Sequence, residues 1–335
     1  RDKDAVPLVE FRQECREFAA GWVDVQREEF KRLGVTGNWG DPYLTMDFHA
    51  EAVIAEELQK FVMNGMLYQG SKPVMWSPIE KTALAEAEVE YHDHQSHTIW
   101  VKFPVVNFTG ENDVFSGKVD VVIWTTTPWT IPQNRAICFG DGISYGLYEV
   151  TGRPEECWLS IGDKYLVADS LAEQVFTQAR LDGTMYRRLC DVSAGDLAQM
   201  TCAHPLRGAE GADGEWDYDV PLLSGDHVTD EAGTGFVHTA PSHGDDDYQV
   251  GLKHNLPMTY NIMEDGGFRA DLPLFGGKYI LNRKGKEGDA NGAVIDKLVE
   301  VGALLARGRL THSYPHSWRS KAPLIFRNTP QWFVA

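Results

Sequence analysis

Trp124-Thr-Thr-Thr-Pro-Trp-Thr130 is the stretch on which the reading of this chain turns. It leaves an apolar strand, Val119 to Trp124, and gathers the hydroxyls of Thr125, Thr126, Thr127 and Thr130 on a backbone braked by Pro128. Such a loop can grip a polar ligand. A second stretch, Gly233-Thr-Gly-Phe-Val-His-Thr-Ala-Pro-Ser-His-Gly-Asp-Asp-Asp247, offers two histidines and three successive carboxylates on a glycine-rich loop. Loops of this kind are where binding and catalytic groups concentrate, and we expect this one to close over the first.

The strand that feeds the threonines is one of a series. His97 to Val106, Lys118 to Trp124, Arg135 to Phe139, Tyr145 to Val150 and Cys157 to Ile161 are apolar or β-branched runs parted by Gly, Asp and Asn turns. Short strands at this spacing predict an antiparallel sheet or barrel. A helical period over Ser170 to Leu181 makes the middle domain α+β. From Ala203 to Asp230 the chain is loop-rich, and a short helix is predicted over Tyr248 to Leu256.

Two amphipathic helices precede the strands. Phe11, Cys15, Phe18, Trp22 and Val25 form one stripe after Pro7, stopped by Gly34; Val53, Ile54, Leu58, Phe61 and Val62 form another, capped by Thr45 or Asp47 and ended by Gly65. Neither carries a catalytic pattern, and their stripes are expected to pack. A helix over Asp289 to Val301 returns late in the chain. Two Pro-, Ser- and Trp-containing segments, Lys72 to Tyr91 and His312 to Pro323, read as paired necks of an inserted domain. The division is therefore 1–70 helical, 71–95 neck, 96–288 inserted domain, and 289–335 returning helix and second neck.

Composition narrows the class. The 335 residues are 43% hydrophobic and 24% charged, as in ordinary globular chains. No apolar run approaches the roughly 20 residues needed to span a bilayer, and Arg1-Asp-Lys-Asp lacks a signal-peptide core, so a cytoplasmic chain without a membrane partner is expected. Five cysteines without a C-x-x-C pair indicate reduced thiols rather than a disulfide framework. The net charge of −18 argues against a stand-alone nucleic-acid binder, although the balance turns basic from Arg283 onward. The charged start and unstopped end at Gln331-Trp-Phe-Val-Ala read as a piece of a longer polypeptide.

Three chemistries compete for the two loops. His238 and His243 with Asp245, Asp246 and Asp247 could ligate a metal that activates water, but Pro241 prevents the histidines from sharing a helix face. A threonine nucleophile needs an adjacent base or a free amino terminus, and these threonines are internal. In the third, hydroxyls and amides hold a ligand and position a water while a carboxylate anchors a cationic amine. Against all three stands a plain structural reading, in which the threonines end a strand and the aspartates cap a helix.

The threonine stretch, continued by Ile131-Pro-Gln-Asn134, resembles the threonine-rich peptide of the isoleucyl-tRNA synthetase editing domain (CP1), and Gly233 to Asp247 resembles its partner loop. Valine- and leucine-specific relatives carry T-T-R-P, so Thr127 and Trp129 favour the isoleucyl branch. Leu33-Gly-Val-Thr-Gly-Asn-Trp39, Pro42-Tyr-Leu-Thr-Met46, Thr82 to Tyr91 and Tyr314 to Pro323 resemble the stretches where this insertion leaves and rejoins the nucleotide-binding core.

The resemblance implies a β-barrel-like editing domain set into helical pieces of a Rossmann-type catalytic core. It implies post-transfer hydrolysis of valyl-tRNA(Ile), with Asp247 as the essential carboxylate, to which Asp245 and Asp246 do not correspond. His238 would admit valyl and refuse isoleucyl groups, and Trp124, Thr125, Thr126, Thr127 and Thr130 would line the pocket for the terminal adenosine and ester. The partners are the tRNA acceptor end and the remaining synthetase domains, in a monomer. H-I-G-H and K-M-S-K-S segments are absent, so ATP and Mg belong to the full-length ligase, and this chain alone is expected neither to bind a cofactor nor to aminoacylate. Relatives with cysteines at the neck hold zinc; here the positions are Ser77, Glu80, Ser317 and Ser320, and no metal is expected. The alternatives are a non-catalytic tRNA-binding or spacer module and, third, a metal-dependent hydrolase.

Overall fold

The computed structural model describes residues 5–110, 115 and 117–335; Arg1-Asp-Lys-Asp, read above for its lack of a signal-peptide core, lies outside them. The chain divides into two units, one running to Gly70 with Trp332–Ala335 added, the other Ser71–Gln331.

The first unit holds α1 (Leu8–Arg32) and α2 (Phe48–Met63). Pro7 stands at the N-cap of α1 and Asp47 at that of α2, while Gly34 and Gly65 take positive φ just past the helix ends. Arg16 joins the helices: its guanidinium donates to Met46 O, pairs with Glu51 at 2.7 Å and lies 4.4 Å over the Phe48 ring. The expected packing of the two stripes does not occur. Neither helix contains a buried residue, and Phe18 and Trp22 remain 71% and 50% exposed; the two helices meet through the polar contacts of Arg16 and not through their apolar stripes.

The strands are β1 (Leu67–Ser77), β2 (Thr82–Ala83), β3 (Val89–Phe108), β4 (Val119–Thr125), β5 (Ala136–Phe139), β6 (Tyr145–Val150) and β7 (Lys164–Ala168), then β8 (Tyr186–Val192), β9 (Met200–Ala203), β10 (Asp219–Ser224), β11 (Phe236–Thr239), β12 (Leu304–Ser317) and β13 (Ile325–Val334). β1 from Ser71 and β13 up to Gln331 belong to the second unit, and the other strands lie wholly within that unit. Its helices are α3 (Ala172–Gln178), α4 (Ala194–Leu197), α5 (Asp245–His254) and α6 (Ala290–Glu300). The main sheet runs β11-β5-β10-β9-β3-β4-β7-β6-β8, with β12 also on β3; β13-β1-β2 form a smaller one.

β3 is the spine. Over its 20 residues it pairs in turn with β12, β4 and β9. Ile99, Val101 and Phe103 alternate into a core that also holds Tyr145, Tyr165, Phe176 and Trp216. This burial fixes the register that brings Thr125, the last residue of β4, opposite Ile99.

The sheet is mixed rather than antiparallel, since β4–β7 and β5–β10 pair in parallel. Its hydrogen-bond path has two ends, β11 and β8, so it is not a closed barrel. Cys157 to Ile161 is not a strand. The Arg153 guanidinium takes the carbonyls of Cys157 and Leu159 at 3.0 and 2.9 Å, and Cys157 Sγ donates to Ala179 O, so these groups are spent locally; the strand forms at β7 instead. The short helix near Tyr248 begins earlier than its apolar period suggests, at Asp245.

The two neck segments lie side by side, Pro315 to Ser317 pairing with Val89 to Tyr91. All five cysteines are free thiols.

Candidate active site

β4 delivers Thr125 to the loop, and Pro128 opens a 3-10 helix, Pro128–Gln133, at a position whose N–H would have no helical partner. The tight turn folds the hydroxyls onto one another. Thr127 N–H donates to Thr125 Oγ1 at 3.1 Å, and both the N–H and the hydroxyl of Thr130 donate to Thr127 O, at 3.0 and 2.8 Å. Thr127 Oγ1 lies 3.2 Å from Thr125 Oγ1 and 3.4 Å from Thr130 Oγ1. The Thr126 hydroxyl has no hydrogen-bond partner among the described residues.

The second loop is shaped by close approach. Gly235 has φ +79°, and a Cβ there would lie 2.4 Å from that of Ala168; its carbonyl accepts the Tyr145 hydroxyl at 2.6 Å. β11 then carries His238, buried opposite Ile137 of β5. The chain turns at Pro241 into α5, whose first turn holds Asp245, Asp246 and Asp247. Only Asp247 turns back to the loop: its Oδ2 accepts the Ala240 N–H at 2.7 Å, whereas Asp245 pairs with Lys72 at 3.3 Å. The other Asp247 oxygen has no partner among the described residues.

Burial sets the charges. It pushes the half-buried Asp247 carboxyl up to about 7, against the lowering effect of the Ala240 N–H and with a further push from Asp246. Burial, reinforced by His243, drives His238 down to about 3. His243 falls to about 4, again through burial, which outweighs its bond to Phe326 O. Both imidazoles are neutral at physiological pH. His243 donates from Nδ1 to Phe326 O at 2.8 Å, leaving a buried Nε2 lone pair with no partner among the described residues.

A cavity of ≈ 360 Å³ lies between the loops, within the size range of small-ligand sites. Trp124, Thr125, Thr126, Thr127, Thr130, His238 and Asp247 all line it. Asp245 and Asp246 do not. His227, Thr229 and His243 also reach it; the first two fall in a stretch that reads only as loop, and no local pattern singles them out. Among the described residues no three His, Cys, Asp or Glu side chains are arranged to hold a metal ion.

At the neck, Glu80 receives the hydroxyls of Ser77 and Ser317, the latter at 3.0 Å, and Ser317 Oγ caps the N–H groups of Arg319 and Ser320 at 3.2 and 3.4 Å. Neutral hydroxyls already committed to a carboxylate do not fit zinc, which takes thiolate or imidazole at structural sites.

Residues 2–335 match the family model for tRNA synthetases class I (I, L, M and V). The chain belongs to that family. This synthetase chain is 65% identical over 342 residues to the isoleucine–tRNA ligase of Ruegeria pomeroyi, covering 100% of the chain and 34% of the relative. It is 55% identical to that of Rhodopseudomonas palustris, covering 99% and 33%. It thus spans about a third of the length of these curated relatives. Among solved structures, the P. knowlesi cytosolic leucyl-tRNA synthetase editing domain overlaps 49% of this chain and 66% of that one, at 13% identity and a TM-score of 0.38.

Proposed function

We propose that this chain is the editing part of an isoleucine–tRNA ligase and that its cavity hydrolyses the ester of valyl-tRNA(Ile). The observation that carries the reading is the placement of one lightly bonded carboxylate, Asp247, across a cavity from a cluster of hydroxyls. A carboxylate held near 7 by burial is short of positive charge, and an α-ammonium supplies it, keeping Asp247 ionised when bound.

Thr126 offers an uncommitted hydroxyl to the terminal ribose, while Thr125, Thr127 and Thr130 keep the loop in shape. A water held between the loops attacks the ester carbonyl carbon. The bond from that carbon to the ribose oxygen breaks, the ribose oxygen takes a proton, and valine and tRNA leave. The neutral His238 ring walls the side-chain end, where it admits valine and excludes the longer isoleucine. A single synthetic pocket does not provide this discrimination, since one methylene is worth only about 1–3 kcal/mol, a figure known for isoleucyl enzymes rather than obtained from this chain.

In this reading the helical unit joins a Rossmann-type core, the tRNA acceptor end and the other synthetase domains are the partners, and the whole is a cytoplasmic monomer. ATP and Mg serve the activating site elsewhere in the ligase, so this chain alone does not aminoacylate. Titration with a non-hydrolysable valyl-adenosine analogue tests the reading. Saturable binding that Asp247→Ala abolishes is expected; equal binding by both proteins, or none by the parent, contradicts it.

A further inference from the structure

The threonine loop is a thin wall. Thr126 and Thr127 line the main cavity on one side and a second cavity of ≈ 50 Å³ on the other, where His97, Trp129, Glu287 and Asn291 also lie. Space on both sides means that side-chain packing alone does not fix these two residues, so the hydrogen bonds holding the turn must. Those around Thr125, Thr127 and Thr130 are local, and on the main-cavity side His238 holds Thr130 at 2.9 Å. Farther along the turn, His204, Trp216 and Tyr218 bond the carbonyls of Ile131, Pro132 and Asn134 at 2.9, 2.9 and 2.7 Å; at its start, beside Thr127, the Trp129 N–H donates to Asn291 Oδ1 at 3.2 Å.

That N–H is an early donor of the 3-10 helix, left without a partner inside the helix and satisfied by a side chain 162 positions away. Asn291 is itself oriented. Its Nδ2 donates to Glu287 Oε1 at 3.3 Å, and that oxygen lies 2.7 Å from His97 Nε2; Arg309 stands 3.8 Å from the other. The chain of bonds therefore runs from the sheet spine at His97, through Glu287 and the first turn of α6, to the backbone between Thr127 and Thr130.

We propose that Asn291, held by Glu287 and His97, is the positioning residue that sets the threonine loop for ester hydrolysis, a reading that rests on the hydrolytic function proposed above. It touches no substrate. Its action is to fix Trp129, whose ring packs edge-on against His243 in the cavity wall at 4.9 Å, and so to fix the flanking threonines.

The test compares Asn291→Ala and Glu287→Gln with the parent chain. Amide exchange by mass spectrometry on the peptide 124–134 is read without substrate, and hydrolysis of valyl-tRNA is read separately as kcat and KM. Asn291→Ala is expected to speed exchange in that peptide and to lower kcat about ten-fold or more with little change in KM, because small displacements of positioning groups are amplified in rate. Glu287→Gln keeps an oxygen for Asn291 and His97 and should stay near the parent in both readouts. Unchanged exchange in Asn291→Ala overturns the tether, and faster exchange with unchanged kcat overturns its role in hydrolysis. If the parent hydrolyses nothing, the hydrolytic reading falls and the positioning role falls with it, while exchange alone still decides whether the tether exists. Should Asn291→Ala fail to fold, Glu287→Ala replaces it, with the same outcomes decisive.

Discussion

His238 Nε2 lies 2.9 Å from Thr130 Oγ1, and the protonation of that pair is fixed by a third residue. Asn134 Nδ2 donates both to Ala136 O at 2.8 Å and to His238 Nδ1 at 2.7 Å. Nδ1 is thus the acceptor, Nε2 carries the proton and gives it to Thr130, and the Thr130 hydroxyl passes its own to Thr127 O. Both ring nitrogens are spent inside the wall. His238 consequently has shape to offer the substrate and no free nitrogen for proton transfer.

Selectivity should therefore depend on His238. His238→Ala is expected to begin hydrolysing isoleucyl-tRNA; because it also frees Thr130, its valyl-tRNA rate falls with the loosened loop, and the ratio of the two rates is the readout. Deacylation assays with both substrates check this; a protein that still spares isoleucyl-tRNA contradicts the role of the ring as a gate.

The threonines should separate by what their hydroxyls do. Thr130 is bonded to Thr127 and His238, so Thr130→Val should cost about 1–2 kcal/mol of stability. Among the described residues Thr126 makes no side-chain hydrogen bond, so Thr126→Val should stay within about 0.5 kcal/mol of the parent in urea unfolding yet slow ester hydrolysis.

Acid should unfold the protein early. His204, His238 and His243 are held neutral in the fold, at about 3, 3 and 4, and take up protons once exposed; Asp247, raised to about 7, releases one on unfolding. For the histidines, whose folded pKa is depressed, stability is lost as pH falls below about 6.5. Asp247 acts in the opposite sense between about 4 and 7. Three protons against one leaves roughly two taken up near pH 5.5, or about 2–3 kcal/mol per pH unit from these four groups. Urea midpoints between pH 7.5 and 5 read this slope, and a flat or rising profile on acidification contradicts it.

The neck should be insensitive to chelators. Ser77 and Ser317 are buried and both donate to Glu80, so Glu80→Ala leaves two hydroxyls short of an acceptor and should cost about 1–3 kcal/mol. EDTA should leave the melting temperature of the parent unchanged, whereas a drop on chelation would mean that a metal closes the neck.

Much of this architecture was legible from local pattern. β6 matches its predicted limits, β4, β5 and α6 nearly so, because apolar periodicity and flanking glycines are local properties. Cys157 to Ile161 misled because its β-like composition is overruled by Arg153, four residues earlier, whose reach a periodicity cannot show. The parallel pairs β4–β7 and β5–β10, and the open ends of the sheet, are long-range facts with no local signature. At the site, the Thr and Asp clusters announce themselves by composition. His227, Thr229 and Asn291 do not, since single polar residues in unpatterned stretches acquire meaning only from what the fold places beside them.

If Asp247 holds the ammonium of a misacylated tRNA for hydrolysis, valyl-tRNA(Ile) deacylation must depend on its charge, and the parent, Asp247→Ala and Asp247→Asn are the proteins to compare. Asn at this position can still accept the Ala240 N–H, so it should fold at least as well as the parent at neutral pH, without the cost of a buried charge. The parent is expected to release valine and both variants to lose at least about a hundred-fold in rate, roughly 3 kcal/mol of transition-state stabilisation. Release of valine by Asp247→Asn at the parent's rate would contradict that dependence on charge.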